Sequence, residues 1–212
     1  MIGVCLLSTH IVSAQADGEG ANALKKAKRS IGIKAGASYS LMPAFKSFSV
    51  SDNFGFFAGG YIAPPSASRV GFRSELLLTR QGYDYASSRQ TGNVMLTYLM
   101  LPQLATIRIT PFLELQAGPQ LALLLSATVD SSANASSAPN LEKAKDYFNR
   151  LNYGVAAGFE MFPSRTTFVG ARYNLFFDMW KGNATGSVPD YVPDYGGNVK
   201  SGLLQLYLGL RF

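Results

Sequence analysis

From residue 30 onwards, the chain repeats stretches in which hydrophobic side chains alternate with polar or small ones, and turn-forming residues follow each stretch. Alternation with a period of two is typical of a β-strand with one apolar face and one polar face. The pattern predicts eight strands, at Ser30–Met42, Phe54–Ala63, Arg69–Gln81, Val94–Ile107, Phe112–Ser126, Asn152–Phe162, Thr166–Asp178 and Ser201–Phe212.

The connections between these stretches alternate in length. Because successive antiparallel strands send every second connection to the same side, all long connections lie on one side and all short turns on the other. An even strand count with this asymmetry is typical of outer-membrane barrels. We therefore predict an all-β fold, an eight-stranded antiparallel up-and-down transmembrane β-barrel with extracellular long loops and periplasmic termini. The long connections are Pro43–Asn53, Gly82–Asn93, Ala127–Leu151 and Met179–Lys200, and the short ones are Pro64–Ser68, Arg108–Pro111 and Pro163–Arg165.

Composition helps to separate a membrane barrel from a soluble one. Hydrophobic residues make up 47% of the chain and charged residues 15%, against about 25% charged residues in soluble domains. A soluble sandwich or lipocalin also alternates, but its polar face meets water and is rich in Lys, Glu and Thr. Here that face holds mainly Gly, Ala, Ser, Gln and Asn, which suits a narrow barrel interior. A membrane barrel is favoured, and a soluble periplasmic β protein is the alternative.

The few charges on the polar face have both signs and are expected to pair across the lumen. A cluster of glutamates for acid–base chemistry is the alternative interpretation. The structural interpretation is favoured because basic partners are present in similar number, and no nucleophile or metal-binding set accompanies them. We predict a packed lumen without catalytic, cofactor or metal sites, and a polar network made of Lys34, Arg73, Glu75, Glu114, Glu160, Arg172 and Arg211.

The first 16 residues resemble a secretory signal, with a short apolar stretch followed by small residues at Ser13–Ala16. An N-terminal strand or buried helix is the alternative. We expect residues 17–29 to form a flexible periplasmic tail and residues 30–212 to form the barrel. Removal of the signal would take away Cys5 and His10, the only cysteine and histidine, and with them any conventional zinc site or His-paired nucleophile. The basic residues at 25–29 are interpreted as part of a solvated tail, and no nucleic-acid partner is expected.

Pro102 interrupts the fourth strand, and proline cannot donate to a β-ladder, so we expect a bulge there. Aromatic residues near the strand ends are expected to form girdles at the membrane interfaces. These residues are Tyr39, Phe54, Tyr98, Tyr153, Phe177, Trp180 and Phe212.

Two long connections contain further candidates for binding. Residues Leu141–Arg150 can form a short surface helix or a mobile loop. Trp180, Tyr191 and Tyr195 are candidate loop contacts for a ligand, or residues that pack on the barrel rim.

Four segments resemble the PorT-like outer-membrane β-barrel family, common in Bacteroidetes, and the resemblance extends from about Ser30 to Phe212. They are Gly32-Ile-Lys-Ala-Gly36, Tyr98-Leu-Met-Leu-Pro102, Pro111-Phe-Leu-Glu-Leu-Gln-Ala-Gly-Pro119 and Leu206-Tyr-Leu-Gly-Leu-Arg-Phe212. The resemblance implies a terminal strand, ending in Phe212, that the barrel assembly machinery reads. Met100 stands where relatives often have an acid, which removes one expected lumen charge. The founding member is linked to protein secretion, a role that fold alone does not transfer.

The expected function is a structural or interaction role through the long extracellular loops. The expected partners are outer-membrane lipid and lipopolysaccharide, the barrel assembly machinery, and a surface or secretion-complex partner. A narrow channel for small solutes, an accessory component of a secretion system, and an enzyme acting on lipid or peptide are the alternatives.

Overall fold

The computed structural model describes residues 30–41, 49–52, 54–66, 68–86, 91–131, 149–177 and 201–212. No helix among these residues is long and apolar enough to cross a membrane. The described strands are β1 (Ser30–Leu41), β2 (Ser49–Asp52), β3 (Phe54–Ala63), β4 (Val70–Ala86), β5 (Thr91–Thr110), β6 (Leu113–Ser131), β7 (Leu151–Met161), β8 (Thr167–Phe177) and β9 (Ser201–Arg211).

The sheet closes on itself into an eight-stranded antiparallel barrel. From β3 to β9, each strand pairs with its neighbours in chain order, and β1 pairs with β3 on one side and β9 on the other. The short β2 pairs only with β4 among the described strands, beside Tyr83–Ala86, and adds to the sheet above β3. The predicted fold class is confirmed. Closure pairs the backbone N–H and C=O groups of the first strand with those of the last strand. Without this pairing the groups would lack hydrogen-bond partners, because hydrocarbon offers none.

The barrel has its hydrophobic side chains on the outside. In β1, Ile31 and Ile33 are exposed while Lys34 is buried, and in β9 Leu206 and Leu208 are exposed on either side of the buried Tyr207. A soluble barrel has the reverse arrangement, with aliphatic side chains in the centre and a hydrated exterior. The described strands therefore support the membrane interpretation of the alternation.

The predicted boundaries fail where β4, β5 and β6 extend beyond the other strands. The connection expected at Gly82–Asn93 is largely paired strand, from Gly82 opposite Met95 to Ala86 opposite Thr91. Glycine, aspartate and asparagine favour turns, but here cross-strand pairing outweighs that preference, and Asn93 Nδ2 donates to Asp84 Oδ1 across the two strands. We call the resulting sheet the tall wall. It consists of β2, Gln81–Ala86, Thr91–Leu96 and Ala127–Ser131.

The bulge expected at Pro102 is absent from the described ladder. Pro102 lies opposite Gln120 in the same register as the pairs on either side of it. Towards β4 the register is also unchanged between the pairs Ser74–Gln103 and Leu77–Met100, although the two positions between them are unpaired. Because Pro102 has no N–H group, the ladder has a gap at this point, but β5 does not contain the extra residue that a bulge would require. The register shifts between β5 and β6 occur at Thr97/Tyr98 and Arg108/Thr110 instead.

The aromatic residues near the strand ends lie on both sides of the barrel wall. Phe54, Tyr153 and Phe212 are exposed on the exterior, as a girdle requires. Tyr98 was expected among them but is buried in the lumen, because it alternates in phase with the inward-facing Leu96 and Met100. Trp180 lies outside the described residues.

We predict that Gly36→Val prevents closure of the barrel. A Cβ atom at Gly36 would overlap the carbonyl oxygen of Leu206 and lie 2.7 Å from the Cα of Tyr207, at the seam between β1 and β9. Electrophoretic mobility before and after heating measures the folded fraction, and most of the heat-modifiable band should be lost. Ala37→Val is the matched control, since Ala37 is exposed on the exterior and should tolerate two extra methyl groups. Equal folded fractions for the two variants would contradict the described seam.

Candidate functional site

Six buried charged side chains meet in the half of the lumen nearer the short turns. They come from five strands, none is more than 7% exposed, and their three positive and three negative charges cancel. Alternation places each of them on the inner face of its strand. We call this group the charge cluster. Its members are Lys34, Arg73, Glu75, Glu114, Glu160 and Arg172.

Glu75 receives hydrogen bonds from two cations. The Nζ atom of Lys34 lies 2.7 Å from Oε2 and 2.8 Å from Oε1 of Glu75. The guanidinium group of Arg172 binds the same carboxylate with both Nη atoms, at 2.7 and 2.9 Å. Paired hydrogen bonds between a guanidinium and a carboxylate fix the orientation of both groups and are among the stronger polar contacts in proteins. Glu75 thereby connects β1, β4 and β8 across the lumen.

Arg73 joins the other two glutamates. Its Nη1 atom lies 2.5 Å from Glu160 Oε2, and its Nη2 atom lies 2.7 Å from Glu114 Oε1. Nη1 is also 4.0 Å from Glu75 Oε1, so the two halves of the charge cluster are adjacent. Each carboxylate therefore has at least one cation within 2.7 Å.

Two neutral residues connect the charges, and sequence reasoning did not include them in the network. Gln116 accepts a hydrogen bond from Arg172 Nη2 at 2.8 Å and donates to the hydroxyl of Tyr207 at 2.5 Å. That hydroxyl donates to Glu160 Oε1 at 3.1 Å, and Lys34 Nζ lies 4.4 Å from the Tyr207 ring centroid. Side-chain alternation along β6 and β9 directs both residues into the lumen, but their partners lie on strands that are distant in the sequence.

Arg211 was expected in this network, and the structure places it at the short-turn rim instead. Its Nε and Nη2 atoms donate to the carbonyl oxygen of Arg165 at 3.2 and 2.9 Å, and its guanidinium lies 4.9 Å from the ring centroid of Phe162. Arg211 is the last residue of β9 and lies near the turn between β7 and β8. At that position the partner of its side chain is a turn carbonyl rather than a lumen carboxylate.

Apolar and polar side chains both lie in the lumen on either side of the charge cluster. Towards the short turns, the ring of Phe168 packs 5.8 Å from the rings of both Tyr61 and Phe162. Towards the long connections, the buried residues include Leu96 and Phe176. The Gln and Asn side chains expected on the inner face are buried there, among them Gln120, Asn152 and Asn174, and large apolar side chains share the interior with them. An eight-stranded barrel leaves an interior that side chains can fill, and here buried side chains occupy it on both sides of the cluster.

The geometry of the charge cluster favours a structural role over catalysis. A general acid or base must come within hydrogen-bonding reach of a substrate. The carboxylate side chains of Glu75, Glu114 and Glu160 are at most 8% exposed, and each already binds a cation. The cluster crosslinks the barrel wall from inside. Among the other candidates, Trp180, Tyr191 and Tyr195 lie outside the described residues.

Comparisons with known proteins give a family match. A family model described as outer membrane protein beta-barrel domain matches residues 14–177. Neisserial surface protein A (NspA) has a similar structure, with a TM-score of 0.51 and 16% identity, over 87% of this chain and 97% of that chain. This likeness concerns the fold.

Two further solved structures have lower scores. The attachment invasion locus protein Ail of Yersinia pestis has a TM-score of 0.45 and 16% identity, over 88% of this chain and 99% of that one. OprG of Pseudomonas aeruginosa has a TM-score of 0.42 and 11% identity, over 88% and 97%. A sequence comparison with curated proteins found no significant match.

We predict that Glu75→Gln destabilises the folded barrel by about 3–5 kcal/mol, the usual effect of removing one partner from a buried ion pair. The change leaves Lys34 and Arg172 without their shared carboxylate. The free energy of unfolding, measured by urea denaturation in lipid vesicles, tests this. Glu114→Gln is the matched control and should have a smaller effect, because Glu114 lies nearer the rim and is more exposed.

A second substitution tests whether the loss of charge balance causes the destabilisation of Glu75→Gln. Lys34→Met in the Glu75→Gln background restores a neutral cluster. The two changes together should destabilise the barrel by at least 1 kcal/mol less than the sum of the single effects. Strict additivity would contradict the described coupling between Lys34 and Glu75.

Proposed function

The chain belongs to the family of outer membrane proteins with a β-barrel domain, and we propose that it has a structural or interaction role through the long-connection side of its barrel. In this proposal the lumen neither conducts solutes nor catalyses a reaction. The family assignment places the protein in the bacterial outer membrane.

The buried side chains of the lumen, above all the charge cluster, are the observation that supports this proposal. A solute that crossed the barrel would have to separate Arg172 from Glu75 and pass the aromatic packing around Phe168. Breaking a buried ion pair costs several kcal/mol, so the packed state opposes steady conduction. The surfaces that remain available for function are the two ends of the barrel and its lipid-facing exterior.

The tall wall supports a role at the long-connection end. Strands β4, β5 and β6 have 17, 20 and 19 residues, whereas β7, β8 and β9 have 11 each. A tilted strand needs about 9–11 residues to cross a bilayer. The short turns fix the other end of these strands, so the additional residues of β4, β5 and β6 lie outside the hydrocarbon on the long-connection side. In this proposal the tall wall is extracellular and supports the connections that contact a surface partner, with Trp180, Tyr191 and Tyr195 as candidate contacts.

An accessory role in a secretion complex is the second candidate. It is supported by the PorT-like segment Pro111–Pro119, which contributes Glu114 and Gln116 to the lumen network. In both cases outer-membrane lipid and lipopolysaccharide surround the barrel, and the terminal strand ending in Phe212 would be read by the barrel assembly machinery. Co-purification from native membranes distinguishes the two, since only the accessory role requires a stable complex with other secretion components.

We predict that the full chain, folded into planar lipid bilayers, gives no steady single-channel steps, because side chains occupy the lumen. Glu75→Gln is the comparison variant, since it weakens the charge cluster without removing side-chain volume. Currents confined to that variant would support the cluster as the barrier to ions. Steady steps from the unaltered protein would exclude the packed lumen and favour a small-solute channel.

Orientation is tested by labelling intact cells with a membrane-impermeant maleimide. In a Cys5→Ser background, Ser88→Cys, in the connection between β4 and β5, should be labelled from outside. Ser66→Cys, in the short turn between β3 and β4, should be labelled only after the outer membrane is permeabilised. The opposite labelling pattern would place the tall wall in the periplasm and contradict the proposed surface role.

A further inference from the structure

A pair of polar side chains faces lipid in the middle of the barrel exterior. Ser74 and Gln103 lie directly opposite each other on β4 and β5. Their chain neighbours, including Arg73 and Glu75, point into the lumen, so alternation directs the pair outwards. Gln103 Nε2 donates to Ser74 Oγ at 2.8 Å, and both side chains are partly exposed.

Hydrophobic residues flank this pair on both sides. On β4, the outward positions before Ser74 are Val70 and Phe72, and those after it are Leu76 and Leu78. The first charged outward position beyond them is Arg80. The pair therefore lies near the middle of the apolar band of β4, where the surrounding medium is hydrocarbon.

Hydrocarbon does not satisfy the remaining polar atoms of Gln103. A carboxamide has two N–H donors and a carbonyl acceptor, and the contact with Ser74 uses one donor. The second N–H group and the carbonyl oxygen bind no other residue in the part of the chain that the structure describes. Unsatisfied polar groups are costly within a membrane, and a leucine here would avoid that cost. The position therefore points to a polar partner outside this barrel.

The surface around Gln103 permits close approach by another protein. Towards the short turns, its exposed outward neighbours on β5 and β6 are Ala105, Ala117 and Pro119, which project little from the wall, whereas Leu101 lies exposed on its other side. Small residues around a polar side chain are typical of contacts between membrane-spanning helices, because the backbones come close and the polar groups bond across the interface. Small residues on a barrel wall permit the same close approach.

We propose that this face binds a second copy of the chain within the membrane, across a two-fold axis near Gln103. A carboxamide is complementary to itself, since the N–H of each side chain can donate to the carbonyl oxygen of the other. Two-fold contacts bring the same patch of both subunits together, so one Gln103 meets its equivalent. An acyl chain has neither donor nor acceptor and leaves these groups unsatisfied. The contact lies on β4–β6 below the tall wall, and its existence does not depend on the proposed surface role.

Cysteine crosslinking within lipid tests this contact. In a Cys5→Ser background, Ala105→Cys is placed beside Gln103 in the full chain, folded into lipid vesicles and also expressed in the native membrane. A short bismaleimide should join two copies. Adding Gln103→Leu should lower the crosslinked fraction by about threefold to tenfold, as loss of polar contacts between membrane segments does. Heat-dependent mobility confirms that each variant is folded.

Ala35→Cys is the matched control, because Ala35 is also an exposed alanine but lies on β1, three strands away from β5 around the barrel. This variant should give only the low background of crosslinking that random collisions between barrels produce. Three results would overturn the proposal: no dimer from Ala105→Cys, equal crosslinking from Ala35→Cys, or no effect of Gln103→Leu. A crosslink in native membranes solely to a different protein would also overturn it, since the partner would then not be a second copy.

Discussion

The pairing of backbone hydrogen-bonding groups within the membrane is the constraint on which the rest of this structure depends. Hydrocarbon offers no hydrogen bonds, so a sheet that spans it must have no open edge. The β1–β9 ladder provides that closure, and close approach at Gly36 is part of it. Once the sheet is closed, alternation assigns each side chain either to lipid or to the lumen. The inside-out distribution of hydrophobic residues, with Leu208 exposed and Tyr207 buried, is a direct consequence.

Closure with eight strands leaves an interior narrow enough for side chains to fill. In this barrel large aromatic and charged residues share that space, and the charges balance because three cations face three carboxylates. Burying a charge without a partner is strongly unfavourable, whereas a paired and hydrogen-bonded cluster can be retained. Function is therefore expected at the ends and on the outer wall, where the tall wall and the Ser74–Gln103 pair distinguish one side of the cylinder.

The sequence predicts the strands well wherever one face is apolar and the other polar. The bounds of β1, β3, β7, β8 and β9 agree with the alternation to within one residue. The upper ends of β4 and β5 were missed because Gly82 and Asn93 resemble turn residues, and only cross-strand pairing keeps them in the ladder. Six of the seven proposed lumen charges meet, since alternation fixes the face of a side chain. Arg211 does not join them, and Tyr207 does, because depth along the barrel and partners on distant strands are not encoded in the local pattern.

The distribution of the charge cluster over five strands has a consequence for biogenesis. Lys34 is on β1, Arg172 is on β8, and both bind Glu75 of β4, so the counter-ions of one carboxylate come from opposite ends of the chain. A half-assembled barrel in contact with lipid would hold bare charges that only the last strands neutralise. Partly inserted intermediates are thus high in free energy for two reasons: their charges are unpaired, and their backbone edges are open. Insertion of the strands should therefore be concerted at least as far as β8, because Glu75 gains its second counter-ion only when that strand brings in Arg172.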